Sequence, residues 1–427
     1  MLKSLDQKLA DIHAHADSRA FILADAKDAD MAFGVAAPGR SPERSDGSFR
    51  SLQEYRGHIR DNVRQGLLDI MLMSISTNEV LTIRQRLFDG SAVTPAVRAN
   101  DTTDIHVARG AVYPKQPSRP FRTAVLDHAL FGELADSDGQ RDSQRVVGAN
   151  LGLYSVTFNN DLELDRRTLE AYREFRVEAE RKGFRHFLEI FDPNAPVNPI
   201  ATEQLGGFIN DMVVRTLAGV PQSGRPLFLK MVYHGPRFME ELVRYDRHLV
   251  PGVLGGSAGT TYDAFKLLSE AKKYGARAAL FGRKINSSEH QLSFIQFLRL
   301  IADDEVSPEE AVKAYHGVLQ GMGIKPQRPL EKDMELTSGA TSYGGAGRTI
   351  SIPRPVPTMP LGAARATSTG AAAAAKPAAP AAPRTPAAGA DDAALADLPR
   401  RPDGSPDFAK MTPAQRLAYH SNRLRGS

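Results

Sequence analysis

Eight short apolar segments recur along the first three-quarters of the chain, and that recurrence restricts the fold more than any other feature. They fall at 21–25, 69–75, 92–99, 153–158, 187–191, 227–232, 252–254 and 278–281, with helical patterns at 162–182, 262–274, 291–302 and 308–320. Gly183 and Gly275 stand where the first two of those helices should stop, as expected of residues that tolerate a left-handed turn. Strands that are apolar throughout, alternating with helices, belong to parallel sheets covered on both faces. Eight such units within roughly 320 residues predict an α/β fold of the (β/α)8 barrel type. An open doubly wound sheet is the rival, weakened because no G-x-G-x-x-G follows the first strand.

Three connections, at 35–52, 100–122 and 133–146, are long for links between a strand and its helix. Long loops at one end of a barrel commonly cover a site.

The C-terminal part has a different composition. Of 427 residues, the last 88 (340–427) carry a net charge of +6, and the rest a net of −2. Residues 362–390 contain Ala, Pro, Gly, Ser, Thr and three basic side chains but no Leu, Ile, Val or Phe. Such a stretch buries too little apolar area to offset its ordering entropy. The expected organisation is a barrel at 1–337, an Ala/Pro-rich linker at 338–401, and a short basic amphipathic helix at 402–427, opened by Thr412 and Pro413. A flexible tether with a terminal helix suggests docking to a partner; the pattern also resembles the terminal peptides that deliver cargo to microcompartment shells. Six net charges with only two aromatics near the end, Phe408 and Tyr419, argue against nucleic acid as the partner.

The chain has no Cys, which excludes thiolate nucleophiles, disulfides and iron–sulfur ligation. No signal-peptide pattern opens it and no apolar run is long enough to span a membrane, so we expect a cytoplasmic protein, without membrane attachment, that forms a homo-oligomer.

In a barrel, chemistry sits at the C-terminal ends of the strands, so polar residues inside apolar strands are the candidates. Lys230 lies in Leu-Phe-Leu-Lys-Met-Val, and Glu189 in Phe-Leu-Glu-Ile-Phe one strand earlier. Burial favours the neutral amine of a lysine, and a neutral amine attacks carbonyls to form a Schiff base. A carboxylate beside it either pairs with the ammonium or moves protons. Asp25 closes the first strand, placed to orient a lysine or a hydroxyl, or to make a simple Asx turn. Gly255, Gly256 and Ser257 follow the seventh strand, and Gly282 and Arg283 the eighth. Glycine backbone, a helix N-terminus and an arginine together suit a phosphate. His13 and His15 form an H-x-H pair, but the further ligands of a metal-dependent hydrolase barrel are missing: 192 is Asp and 283 is Arg. We expect no metal and no cofactor.

The ordered set Asp25, Glu189, Lys230, Gly255-Gly256-Ser257 and Gly282-Arg283 resembles the class I aldolases of the tagatose-bisphosphate and DhnA-type fructose-bisphosphate group. The resemblance spans about residues 21–320 and is sharpest over 183–288. It implies a (β/α)8 lyase that cleaves or forms a C–C bond in a sugar phosphate through a Schiff base on Lys230. It further implies Glu189 as the acid/base, phosphate held by the two glycine loops, and no metal. One departure stands out. Relatives commonly supply a lysine from the fourth strand, where this chain has Leu-Tyr-Ser-Val-Thr-Phe. That departure keeps open a catalytically altered barrel that binds or scaffolds.

Overall fold

The computed structural model describes residues 2–41, 46–105, 108–135, 146–196, 198–256 and 259–337, together with Pro399, Lys410 and Gln415. Apart from Pro399, Lys410 and Gln415, the predicted linker and terminal helix lie outside the described residues, as does Ser257. The chain divides into the units Met1–Val356 and Pro357–Ser427, and everything below concerns the first.

Eight parallel strands close into a barrel: β1 (Ile22–Lys27), β2 (Ile70–Met73), β3 (Thr94–Arg98), β4 (Leu151–Thr157), β5 (Arg185–Phe191), β6 (Leu229–Met231), β7 (Gly252–Leu254) and β8 (Ala278–Phe281), each paired with the next and β8 with β1. All eight expected strands are present, which settles the choice between barrel and open sheet. Around them run α2 (Leu52–Gln65), α3 (Leu162–Arg181), α4 (Thr202–Ala218), α5 (Pro236–Tyr245), α6 (Thr261–Lys273), the short α7 (Arg283–Ser287), α8 (Gln291–Ala302) and α9 (Pro308–Gly321). Their starts follow local chemistry. Ser51 with Glu54, Thr260 with Asp263 and Ser307 with Glu310 form capping boxes, each satisfying backbone N–H groups that the first turn leaves open.

The two faces of every strand are buried for different reasons. Inward, Ile22, Ala24, Ile70, Leu72, Ala96, Leu151, Leu153, Phe187, Phe228, Ala278 and Leu280 fill the barrel, with Phe187 and Phe228 stacked at 4.5 Å. An N-terminal helix, α1 (Ser4–Ala14), adds Leu5, Leu9 and Ile12 to that same cluster and so plugs the N-terminal end. Lys3 secures it by donating to the carbonyls of Phe88, Ser91 and Val93. Outward, Leu23, Met71, Met73, Val253, Ala279 and Phe281 pack on the helices. Among the described residues no helix is long and apolar enough to cross a membrane.

One outward residue sets an acid limit on the fold. His186 of β5 is buried against Tyr172 and Phe175 of α3, with Tyr172 Oη 2.8 Å from its Nε2. Burial, helped by the nearby Arg176, pushes the imidazole down to about 3. Between that value and the unfolded pKa near 6.5 the unfolded chain binds a proton that the native chain does not. Stability therefore falls as pH drops through this window, by up to about 1.4 kcal/mol per pH unit. Urea denaturation of His186→Phe should show a flatter pH dependence between about 6.5 and 4 than the parent; an equal slope would mean the acid limit lies elsewhere.

Candidate active site

The inward-facing row continues past the apolar filling into a charged layer. Lys230 sits on β6, in register with Glu189 on β5, which is in register with Ser155 on β4. Lys230 Nζ lies 2.5 Å from Glu189 Oε1, with side chains 3% and 0% exposed. The other carboxylate oxygen, Oε2, accepts from Ser155 Oγ at 2.6 Å and faces Arg98 Nη2 at 3.4 Å. Arg98 comes from β3, donates to Ser155 Oγ at 2.9 Å, and pairs through Nε with Asp28 at 2.5 Å. Asn100 completes the layer, accepting from the Ser155 amide at 2.6 Å and donating to its carbonyl at 2.8 Å.

This layer contains two cations and two carboxylates, all buried. Buried charges persist when paired with an opposite charge, and here each lies within 3.4 Å of one. The arrangement is also asymmetric: one oxygen of Glu189 is held by Ser155 and Arg98, while the other faces the amine. A carboxylate fixed in this way can exchange a proton with its neighbour without moving.

Lys230 and Glu189 are thus brought together, as the sequence suggests. Asp25 is not. It is in register with Met71 and Phe281 on the outer face of β1, accepts from Asn62 of α2 at 2.8 Å, and lies 3.5 Å from Lys27. Burial pushes the Asp25 carboxyl up and the Lys27 ammonium down, but this pair belongs to the helix layer. The aspartate that reaches the inner network is Asp28, one residue past β1, through Arg98. Asp28 and Arg98 were missed by sequence reasoning, yet Arg98 had a signal: an arginine in Thr-Pro-Ala-Val-Arg-Ala, as anomalous in its strand as Lys230 is. β4 itself carries no cation, and Arg98 on β3 donates to its Ser155.

The glycine loops lie side by side, since β7 and β8 pair through Leu254 and Leu280. Gly256 takes a left-handed φ of 63°. Gly255 is required by packing: a Cβ there would sit 2.2 Å from the Phe281 ring, and its N–H donates to Leu280 O at 2.8 Å. At Gly282 a Cβ would come within 2.5 Å of Ala26 O. Arg283 is half-buried with its guanidinium 5.4 Å from the Phe33 ring centre. Lys284 links the loops by donating to Gly259 O at 2.8 Å, and burial pushes its ammonium down to about 8.

The long β3–β4 connection folds over the mouth. It carries a two-stranded sheet, Asp101–Thr102 with Pro120–Phe121. Asp104 anchors it, accepting from Thr157 of β4 at 2.9 Å and from Ser118 at 2.7 Å. Its burial raises the Asp104 carboxyl above the usual range. Ile105 is thereby set against Phe191, Val232 and Leu254.

Among the described residues no group of three or more His, Asp and Glu side chains is placed to hold a metal. His13 pairs with His248 at 2.9 Å at the plugged end, whereas His234 pairs with Asp192 at 2.9 Å beyond the strands' C-terminal ends. Opposite ends of a barrel cannot share an ion.

A fructose-bisphosphate aldolase from Slackia heliotrinireducens matches with a TM-score of 0.51 at 13% identity, over 74% of this chain and 92% of that one. The chain shares its fold with fructose-bisphosphate aldolases. A Schiff base-forming fructose-1,6-bisphosphate aldolase matches at 0.49 and 15% identity, over 70% of this chain and all of that one. An archaeal fructose 1,6-bisphosphate aldolase matches at 0.47 and 15%, with the same coverage. No family model and no curated protein sequence matches this chain.

Proposed function

We propose that this chain is a class I aldolase that cleaves or forms a C–C bond in a ketose phosphate through a Schiff base on Lys230, without a metal. The observation that carries the reading is the 2.5 Å approach of Lys230 Nζ to Glu189 Oε1, with the opposite carboxylate oxygen held by Ser155 and Arg98. The aldolase neighbours support it through the shared fold.

In this reading Glu189 takes a proton from the Lys230 ammonium, and the free amine adds to the ketose C2 carbonyl. The resulting carbinolamine loses its hydroxyl as water, with Glu189 returning the proton, to leave an iminium. The C4 hydroxyl then gives its proton to Glu189, the C3–C4 bond breaks, an aldehyde departs, and the bonding pair moves into the iminium to form an enamine, whose C3 later takes that proton from Glu189. Protonation at C3 and addition of water release the second product and restore the amine. Gly256, Ser257 and Arg283 hold the phosphate at the β7 and β8 loops, with Gly255 and Gly282 shaping them, and so keep the carbonyl near the amine. Asp25, expected to orient Lys230 or a hydroxyl, stays in the helix layer; Asp28 joins the site instead, through Arg98 rather than on the substrate.

Borohydride reduction with a panel of ketose phosphates tests this. We expect a covalent adduct on the peptide containing Lys230, unaffected by a chelator. An adduct on Lys27 or Lys284 instead would overturn the assignment of Lys230, and no adduct at all would leave a barrel that binds without this chemistry.

A further inference from the structure

Just beyond the Lys230–Glu189 layer, toward the mouth, the inner wall becomes apolar. Phe191 follows Glu189 by two residues, Val232 follows Lys230 by two, and Leu254 ends the next strand. With Ile105 from the β3–β4 connection they form one buried cluster, none more than 5% exposed. Two strand residues advance about 6.6 Å, so this wall begins within reach of a carbon chain attached to Lys230. Beside this wall Thr157, in register with Phe191, and Ser118 donate to Asp104, and across the barrel Ser74 donates to Asp30 at 2.6 Å.

A polyhydroxylated arm laid against Ile105, Phe191, Val232 and Leu254 would bury hydroxyls with no partner, a discrimination on the order of tenfold to a hundredfold for each hydroxyl. An alkyl or aryl arm would replace water there instead. We infer that the aldehyde half of the substrate is apolar, an alkyl or aryl aldehyde rather than a polyol aldehyde, and that these four side chains select it. This rests on the Schiff-base reading above.

The test uses the full chain in the condensing direction. The donor is dihydroxyacetone phosphate, and the acceptor is either butanal or glyceraldehyde 3-phosphate. The enamine carbon bonds to the aldehyde carbon, the aldehyde oxygen takes a proton, and water hydrolyses the iminium to return the amine. Trapping of the donor alone on Lys230 is measured in parallel. We expect kcat/KM for butanal to exceed that for glyceraldehyde 3-phosphate by about tenfold or more. Val232→Thr, which keeps the shape and adds a hydroxyl, and Ile105→Asn, on the covering connection, should each narrow that ratio. Preference for glyceraldehyde 3-phosphate, or a ratio unmoved in both variants, overturns the proposal. A trapped donor with no condensation of either aldehyde also overturns it, while the Schiff-base reading stands. Absence of the trapped donor removes that reading and this one together.

Discussion

Lys230→Met should lower kcat/KM roughly 10⁴-fold or more and abolish the reducible adduct, the scale seen when an enzyme loses its nucleophile. Methionine nearly matches lysine in length and removes only the amine. The variant leaves Glu189 facing an apolar side chain, but Ser155 and Arg98 still hold its Oε2, so the fold should survive. Lys230→Arg is the sharper companion. It keeps a cation beside Glu189, yet a guanidinium does not deprotonate in a protein and cannot form the iminium. If Lys230 serves only as the partner of Glu189, arginine should rescue; if it is the nucleophile, both variants should be equally dead. Turnover of a ketose phosphate and the mass of the reduced protein decide between these. Activity within tenfold of the parent in either variant would exclude a Schiff base at this position.

The barrel was legible because each strand is a compact apolar run closed by turn residues. The pair Lys230–Glu189 was legible because the two residues interrupt adjacent runs at positions that fall into register. What the sequence could not show is which way a polar residue faces. In a parallel barrel both faces of a strand are buried, so alternation, the usual guide, is absent. Asp25 therefore stood out at the end of the first strand, although the parity that leads into the barrel is that of Asp28. The same ambiguity hid Arg98, whose partners come from the residue after β1, from β4 and from β5 and are separated from it by 57 to 91 residues in the chain. The apolar wall escaped for another reason. Ile105 lies in a connection with no regular period, and only the anchoring of Asp104 to Thr157 places it against Phe191, Val232 and Leu254.

Arg98→Met should be the most destabilising single change in the charged layer. Arg98 is fully buried and reaches Asp28, Ser155 and Glu189 together. Its removal leaves two buried carboxylates with Lys230 as the one remaining cation of the layer, and breaking a buried pair in this way costs about 3–5 kcal/mol. Lysine is no substitute, because a single ammonium cannot present separate N–H groups to three acceptors in the fixed fork of a guanidinium. Urea denaturation measures the loss. A double-mutant cycle identifies its cause: Asp28→Asn neutralises the carboxylate that Arg98 balances, so Arg98→Met/Asp28→Asn should be more stable than Arg98→Met alone by about 1–3 kcal/mol. Strict additivity of the two changes would mean the pair carries no coupling. In that case the midpoint loss would reflect the cavity left by a large side chain. The functional readout is separable from the structural one. In whatever Arg98→Met protein remains folded, Glu189 keeps only Ser155 as a tether for Oε2, so borohydride trapping on Lys230 should slow while the site of the adduct stays the same. Trapping at the parental rate would show that Ser155 alone orients the base, and that the arginine from the third strand serves the fold rather than the reaction.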